Sequence, residues 1–168
     1  MELLVVRHAP AEDRTRFAQS GQNDELRPLT SVGRQKMHQI ANGLATWIRP
    51  LDVLASSPLR RAVQTASIIQ QHCPATIRLK TPVLTPGSPL ADGLLWLQTA
   101  HPLTARIALV GHEPDLSILI GWLLTGKPQA IGPLKKGGAC LLNFPNAVEP
   151  GQGQLLWALM PSQLRRFR

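Results

Sequence analysis

Aromatic side chains are scarce in this chain: 168 residues hold no tyrosine, three phenylalanines and four tryptophans. Proteins that hold nucleic-acid strands stack bases on aromatic faces set among basic residues. No such interleaving occurs here, which argues against nucleic acid as the partner. Cysteine is equally sparse. Cys73 and Cys140 stand in neither a metal-binding nor a redox spacing and read as reduced core thiols of a cytoplasmic protein. No run approaches ~18 uninterrupted apolar residues, so neither a transmembrane helix nor a membrane partner is expected. The amino terminus passes from Glu2 into an apolar run, without the basic region and cleavage site of a secretory signal. A His-Glu-x-x-His motif and clustered Cys/His spacings are missing, so neither metal nor cofactor is expected. Acidic residues are few as well: ten Asp and Glu face 18 Lys and Arg, for a net charge of +8. That surplus draws anions such as phosphate groups or acidic protein surfaces.

What is present is a strand–helix alternation. A chain of this length makes one domain, residues 1–168, which buries about 70% of its unfolded surface. Leu3-Leu4-Val5-Val6 reads as a short buried strand, and Arg7-His8 follow where the apolar run stops. Ala11 to Leu29 is a polar loop or short irregular helix. Thr30 or Ser31 caps a helix whose apolar face is Met37, Ile40, Ala41, Leu44, Trp47 and Ile48, and Pro50 ends it. Asp52 to Ser56 is a second strand. Ser57 as N-cap and Pro58 at the first helical position then open a helix reaching about Cys73. Arg60 and Arg61 are consecutive on it, so they point about 100° apart and cannot share a task.

Thr76 to Leu79 is a third strand, Val83 to Pro89 a loop, and a helix runs from Leu90 through Leu97. Arg106 to Val110 is a strand that ends, like the first, in a histidine, His112. A helix from Asp115 to Leu124 follows, then a Pro/Gly/Lys loop from Lys127 to Gly138. Ala139 to Phe144 and Gln154 to Met160 form a β-hairpin, and residues 161–168 a basic tail. The fold class expected is α/β: a three-layer sandwich, its sheet mainly parallel with an antiparallel edge hairpin.

Arg7, His8, Arg61 and His112 can surround one pocket at the carboxyl ends of the strands, where open α/β sheets bind ligands. Two guanidiniums clamp a phosphoryl group in bidentate fashion and, by like-charge repulsion, keep a neighbouring imidazole neutral. A neutral imidazole is a competent nucleophile toward phosphorus. His112 can donate to the oxygens that gain charge. With fixed cations in place, magnesium is not required.

Arg7-His8-Ala9 resembles the Arg-His-Gly signature of the histidine phosphatase superfamily, whose fold is phosphoglycerate-mutase-like. Ser57-Pro58-Leu59-Arg60-Arg61-Ala62-Val63-Gln64-Thr65-Ala66 is similar to its second block, where the arginine before Ala-x-Gln-Thr contacts phosphate; this singles out Arg61 over Arg60. Val110-Gly111-His112-Glu113-Pro114-Asp115 resembles the third block, with its second histidine. Arg27-Pro28-Leu29-Thr30 followed by Gly33 is similar to a stretch in the short SixA-type phosphohistidine phosphatases, whose arginine lies near the phosphate. The resemblance implies a histidine acid-type phosphatase in which His8 is phosphorylated in turnover. Arg7, Arg61 and His112 would form a pocket for a phosphate or sulfate ion, joined by Arg27.

Two departures stand out. Ala9 replaces glycine, which a negative φ tolerates. The family's general acid, in larger members a carboxylate between the second and third blocks, has only Asp92 in that interval, with Glu113 as the other choice. Acid catalysis is worth about 10²–10⁴-fold when an alkoxide must leave. Phosphohistidine leaves as imidazole, a better leaving group, and the chain has no long insertion to build a lid. The expected substrate is therefore phosphohistidine on an acidic partner protein, as in signal transduction. Two other readings stay open: a hydrolase of small phosphate monoesters, and a non-catalytic module that binds phosphate or phosphoproteins.

Overall fold

Short apolar runs become strands, those at the centre of the sheet carrying Val and Ile, and all six share one sheet. They are β1 (Glu2–Arg7), β2 (Leu51–Ser56), β3 (Ala75–Lys80), β4 (Arg106–Gly111), β5 (Ala139–Asn143) and β6 (Gln154–Leu159). A computed structural model, which describes residues 1–167, places them in the order β3-β2-β4-β1-β5-β6. The pairs β2–β3, β2–β4 and β1–β4 are parallel, while β5 runs antiparallel to both β1 and β6. The fold is the expected α/β sandwich with its closing hairpin.

Successive side chains of a strand point to opposite faces, and here both faces are covered. Leu4, Val6, Leu54, Ala108 and Val110 meet α2 (Ser31–Ala45) and α3 (Arg60–His72) through Met37, Ile40, Leu44, Ala62, Ala66 and Ile69. Leu3, Val5, Val53, Ile107 and Leu109 meet α4 (Leu90–Ala100) and α5 (Asp115–Thr125) through Leu97, Leu116, Ile120 and Leu123. Each Leu, Ile, Val or Met side chain among them contributes about 1.5–3 kcal/mol on full burial. This explains why the central strands read as unbroken apolar runs rather than alternating ones.

The chain leaves β1 toward the face that holds α2, and leaves the adjacent β4 toward the face that holds α5. Neighbouring parallel strands whose connections diverge in this way open a crevice at their carboxyl ends. Register completes the arrangement. Arg7 pairs with Gly111, so the next residues in each strand, His8 and His112, leave the sheet side by side. The His8 amide also donates to the Gly111 carbonyl at 3.1 Å.

Three boundaries differ from the sequence reading. The amide of Ser57 continues the ladder by donating to Val110 at 2.9 Å, so the chain stays extended two residues longer. Leu59 is then the N-cap of α3, without a side-chain cap, in place of Ser57. Helix α2 ends at Ala45, well before Pro50, because the Thr46 hydroxyl donates back to the Gly43 carbonyl at 2.7 Å. Residues 161–164, read as the start of a basic tail, form α6 (Pro161–Leu164), and Leu164 is fully buried against α2. A Cβ at residue 43 would lie 1.9 Å from the Leu164 carbonyl, so that contact requires Gly43. Phe167 packs edge-on against Trp47 with centroids 5.0 Å apart; Arg168 lies outside the described residues. His38 and His72 face each other with Nδ1 and Nε2 3.2 Å apart.

Candidate active site

An open cavity of about 470 Å³ at the carboxyl ends of β1 and β4 is lined by Arg7, His8, Arg27, Arg61, His112 and Lys136, among others. The four principal residues expected from the sequence are therefore together, with Arg27 beside them. The two imidazoles lie 5.1 Å apart between ring centroids. His8, Arg27, Arg61 and His112 are each at most 6% exposed. Arg60, by contrast, is exposed, as the angle between consecutive helical residues requires.

The tautomer of His8 is dictated by its neighbour. Nδ1 lies 2.7 Å from the Ala9 carbonyl, which can only accept, so Nδ1 carries the proton and Nε2 keeps its lone pair. Burial, more than the surrounding cations, pushes the His8 pKa down to about 4. The Ala9 bond opposes that shift, and Arg61, Arg7 and Lys136 add to it. The sequence reading had given the guanidiniums the larger share. Burial likewise brings His112 down to about 3, reinforced by His8, Arg61 and Arg7. Both rings are neutral near pH 7. Ala9 itself has no positive φ and is fully buried, so the missing glycine costs nothing in conformation.

These lowered values make stability depend on pH with a definite sign. Near pH 6.5 the unfolded chain binds protons that the folded imidazoles refuse until about pH 4 for His8 and about pH 3 for His112. Stability from these groups is complete above pH 7 and falls as the pH drops through that window. For His8 the loss is on the order of 3 kcal/mol. Urea unfolding between pH 7 and pH 4.5 should show a steeper decline in the native chain than in His8→Asn or His112→Asn. Parallel declines in all three would contradict the assignment.

The cations are held by specific partners. The Arg7 Nη1 donates to the Leu134 carbonyl at 2.7 Å. Arg27 donates from Nε to Asp24 Oδ1 at 2.7 Å and from Nη1 to the Glu12 carbonyl at 2.7 Å. Arg61 Nη1 reaches the Asp24 carbonyl at 3.0 Å and Oδ2 at 3.2 Å. Burial alone would raise the Asp24 pKa, but Arg27, Arg61 and Arg14 hold it below the usual carboxylate range. One carboxylate thus serves three guanidiniums and leaves the cluster strongly cationic. Arg7 Nε, Arg61 Nε and His112 Nε2 are buried without any partner in the protein. Buried polar groups are rarely left unpaired, and three such groups around one cavity indicate a ligand with several acceptor oxygens.

Asp92 and Glu113 fare differently. Asp92 is exposed on the first turn of α4 and does not line the cavity. Glu113 does line it, but both its oxygens are occupied: Oε2 accepts from Ser117 Oγ, and Oε1 from the Leu134 amide at 3.2 Å. It fixes the 127–138 loop. Asp115 does the same for the 83–89 loop, accepting from the Gly87 amide at 2.9 Å. The third motif therefore follows His112 with two residues that pin the walls.

Sequence reasoning missed Asp24, Lys136, Gln64 and Thr65. Asp24 had a visible cue, standing three residues before Arg27 in a helical turn. The Thr65 hydroxyl accepts from the Ala9 amide at 3.0 Å and donates to the Arg61 carbonyl at 2.7 Å. Gln64 Oε1 accepts from the Leu29 amide at 2.8 Å. Two neighbours on α3 thus clasp the segments that carry His8 and Arg27. A third close approach serves the same loop: a Cβ at residue 33 would lie 2.0 Å from the Pro10 carbonyl, so Gly33 is required. Thr65→Val keeps the shape but strands the buried Ala9 amide. It should cost about 1–3 kcal/mol in stability, read by urea unfolding, and about tenfold in turnover as His8 loses its alignment. Unchanged stability would show that the clasp is idle.

Known proteins resemble this chain in sequence and in fold. Residues 3–82 match the model of the histidine phosphatase superfamily (branch 1). An uncharacterized protein of Picosynechococcus sp. is 34% identical over 140 residues, covering 82% of each chain. The chain belongs to the histidine phosphatase superfamily. The phosphohistidine phosphatase SixA of Escherichia coli is 24% identical over 168 residues, covering 98% of this chain and 97% of its own. A structure of the protein histidine phosphatase SixA complexed with tungstate superposes with a TM-score of 0.80 at 23% identity, over 98% and 99% of the two chains. The superfamily fold is shared along the whole length. No helix among the described residues is long and apolar enough to cross a membrane. Nor do any of them form a group of three or more His, Cys, Asp or Glu able to hold a metal.

Proposed function

We propose that this chain is a single-domain phosphohydrolase that works through a phosphohistidine at His8 and takes its phosphoryl group from phosphohistidine on another protein. The observation that carries the reading is the bare Nε2 of His8, fixed by the Ala9 carbonyl, beside three buried side-chain nitrogens that lack partners, on Arg7, Arg61 and His112. In the first half-reaction Nε2 attacks phosphorus and the substrate's histidine leaves. Arg7, Arg61 and His112 hold the phosphoryl oxygens, with Arg27 beside them, and neutralise the charge that spreads over them. In the second half-reaction water attacks the phosphoenzyme and His8 departs as neutral imidazole.

The likeness to SixA supports a phosphohistidine substrate. So do the open cavity and the engagement of both Glu113 oxygens beside His112, since imidazole departs with less acid assistance than an alkoxide. A net charge of +8 suits an acidic partner surface. Two buried free thiols, raised by burial to about 11 and about 12, suit a reducing, cytoplasmic setting. The test is turnover of a phosphohistidine-bearing protein beside a panel of sugar phosphates and nucleotides, with inorganic phosphate as competitor. The phosphoprotein should be preferred by at least about 10²-fold in kcat/KM. Preference for a monoester would overturn the substrate, and phosphate binding without any hydrolysis would overturn the enzyme.

A further inference from the structure

The reaction outlined above leaves one role without an occupant: a group must hand a proton to the nitrogen that departs when His8 takes phosphorus. Asp92 is outside the cavity, both oxygens of Glu113 are occupied, and Asp24 is paired with three guanidiniums. Asp13 accepts from the Arg16 amide, which leaves the exposed Glu12 as the competing carboxylate at the cavity. His112 is neutral and belongs with the phosphoryl oxygens. An ammonium is available. Lys136 lines the same cavity as His8, Arg61 and His112.

Its position follows from a loop fastened on both sides to the strand that carries the nucleophile. Before it, the Leu134 carbonyl accepts from the Arg7 side chain at 2.7 Å. After it, the Gly137 amide donates to the Arg7 carbonyl at 3.1 Å, and the Arg7 amide donates to Gly138 at 3.1 Å. Gly137 takes φ +81°, and a Cβ there would lie 2.8 Å from Ile40 Cδ1, so the turn that presents Lys136 demands glycine. The run Lys135-Lys136-Gly137-Gly138 is thus a device for setting one ammonium at the mouth of the pocket.

We propose that Lys136 is the proton donor of the first half-reaction and the proton acceptor of the second. This rests on the phosphohydrolase reading of the His8 pocket. As the P–N bond of the substrate breaks and the P–Nε2 bond forms, a proton passes from Nζ to the departing nitrogen. As water forms a P–O bond and Nε2 leaves, the water's proton returns to Nζ, and no outside acid is consumed. The surroundings favour the first transfer: partial burial, then the charges of Arg7 and Arg27, lower the Lys136 pKa against the opposing pull of Asp13, with Arg61 adding to the decrease.

A lysine that merely binds phosphate would matter equally for every substrate. A proton donor matters more as the leaving group becomes more basic. The test measures single-turnover phosphoenzyme formation from p-nitrophenyl phosphate, phenyl phosphate and phosphoramidate in the native chain, Lys136→Met and Lys136→Arg. Both variants should lose at least ~30-fold more with phenyl phosphate than with p-nitrophenyl phosphate, and their kcat/KM should lose the basic limb of its pH profile. Arginine holds its proton, so it restores charge but not transfer. A uniform loss across the substrates, or recovery in Lys136→Arg, overturns the proposal. So does a leaving-group-dependent loss in Glu12→Gln, whose exposed carboxylate also lines the cavity. Inorganic phosphate as competitor reports whether each variant keeps its pocket. A native chain that forms no phosphoenzyme from any of the three substrates sinks the functional reading itself; a competent enzyme with a flat dependence sinks only the lysine.

Discussion

His8→Ala is expected to lower kcat/KM by at least about 10⁴-fold and to abolish any acid-labile phosphoenzyme. Losing a nucleophile removes a pathway rather than one stabilising contact, which is why the effect exceeds that of any other change here. His112 does not replace it. That ring has no backbone anchor comparable to the Ala9 carbonyl, and its own Nε2 is a buried group without a partner. The same substitution should leave phosphate affinity within about tenfold of the native chain, because Arg7, Arg27 and Arg61 remain. Isothermal titration with phosphate, alongside the kinetic assay, separates the two effects. A variant that still turns over at a tenth of the native rate would mean that another group attacks phosphorus.

Arg61→Met comes next, at about 10²–10³-fold in kcat/KM. The guanidinium is 3% exposed, its Nη1 is held by Asp24, and its Nε is the kind of buried, unpartnered donor that a phosphoryl oxygen would satisfy. Lysine at this position supplies charge without the planar fork, so Arg61→Lys should recover no more than about tenfold of the loss. Arg60→Met is the internal control. Its side chain is exposed and reaches only the Leu26 carbonyl at 3.4 Å, so activity should stay within about twofold. Equal losses at residues 60 and 61 would contradict the orientation of α3.

Much of this was legible before any coordinates. Apolar runs with β-branched residues located the strands, because central parallel strands are buried on both faces and do not alternate. Two of those runs, each closing on a histidine, foretold the pairing of His8 with His112 that the β1–β4 register brings about. The consecutive pair Arg60-Arg61 was resolved by helical angle and family likeness together. What stayed hidden depends on contacts distant in sequence. Thr65 meets Ala9 across 56 residues, and Leu134 meets Arg7 across 127. Periodicity carries no information about such pairs. Lys136 read only as part of a Pro/Gly/Lys loop because nothing local reveals that the loop is tied to β1. Asp92 misled for the converse reason: it occupies the right interval of the chain but lies exposed on the first turn of α4, outside the cavity. The basic tail looked free because one buried leucine, Leu164, is too little apolar sequence to announce a docked segment.

The measurement closest to the central claim is the regiochemistry of the phosphoenzyme. The native chain is incubated with phosphoramidate and quenched in base; the labelled residue is then mapped by mass spectrometry, and the ring nitrogen assigned by phosphorus NMR. Since Nδ1 gives its proton to the Ala9 carbonyl, phosphorus should reside on Nε2 of His8 and nowhere else. Label on His112, on the Nδ1 of His8, or on no residue at all would contradict the account.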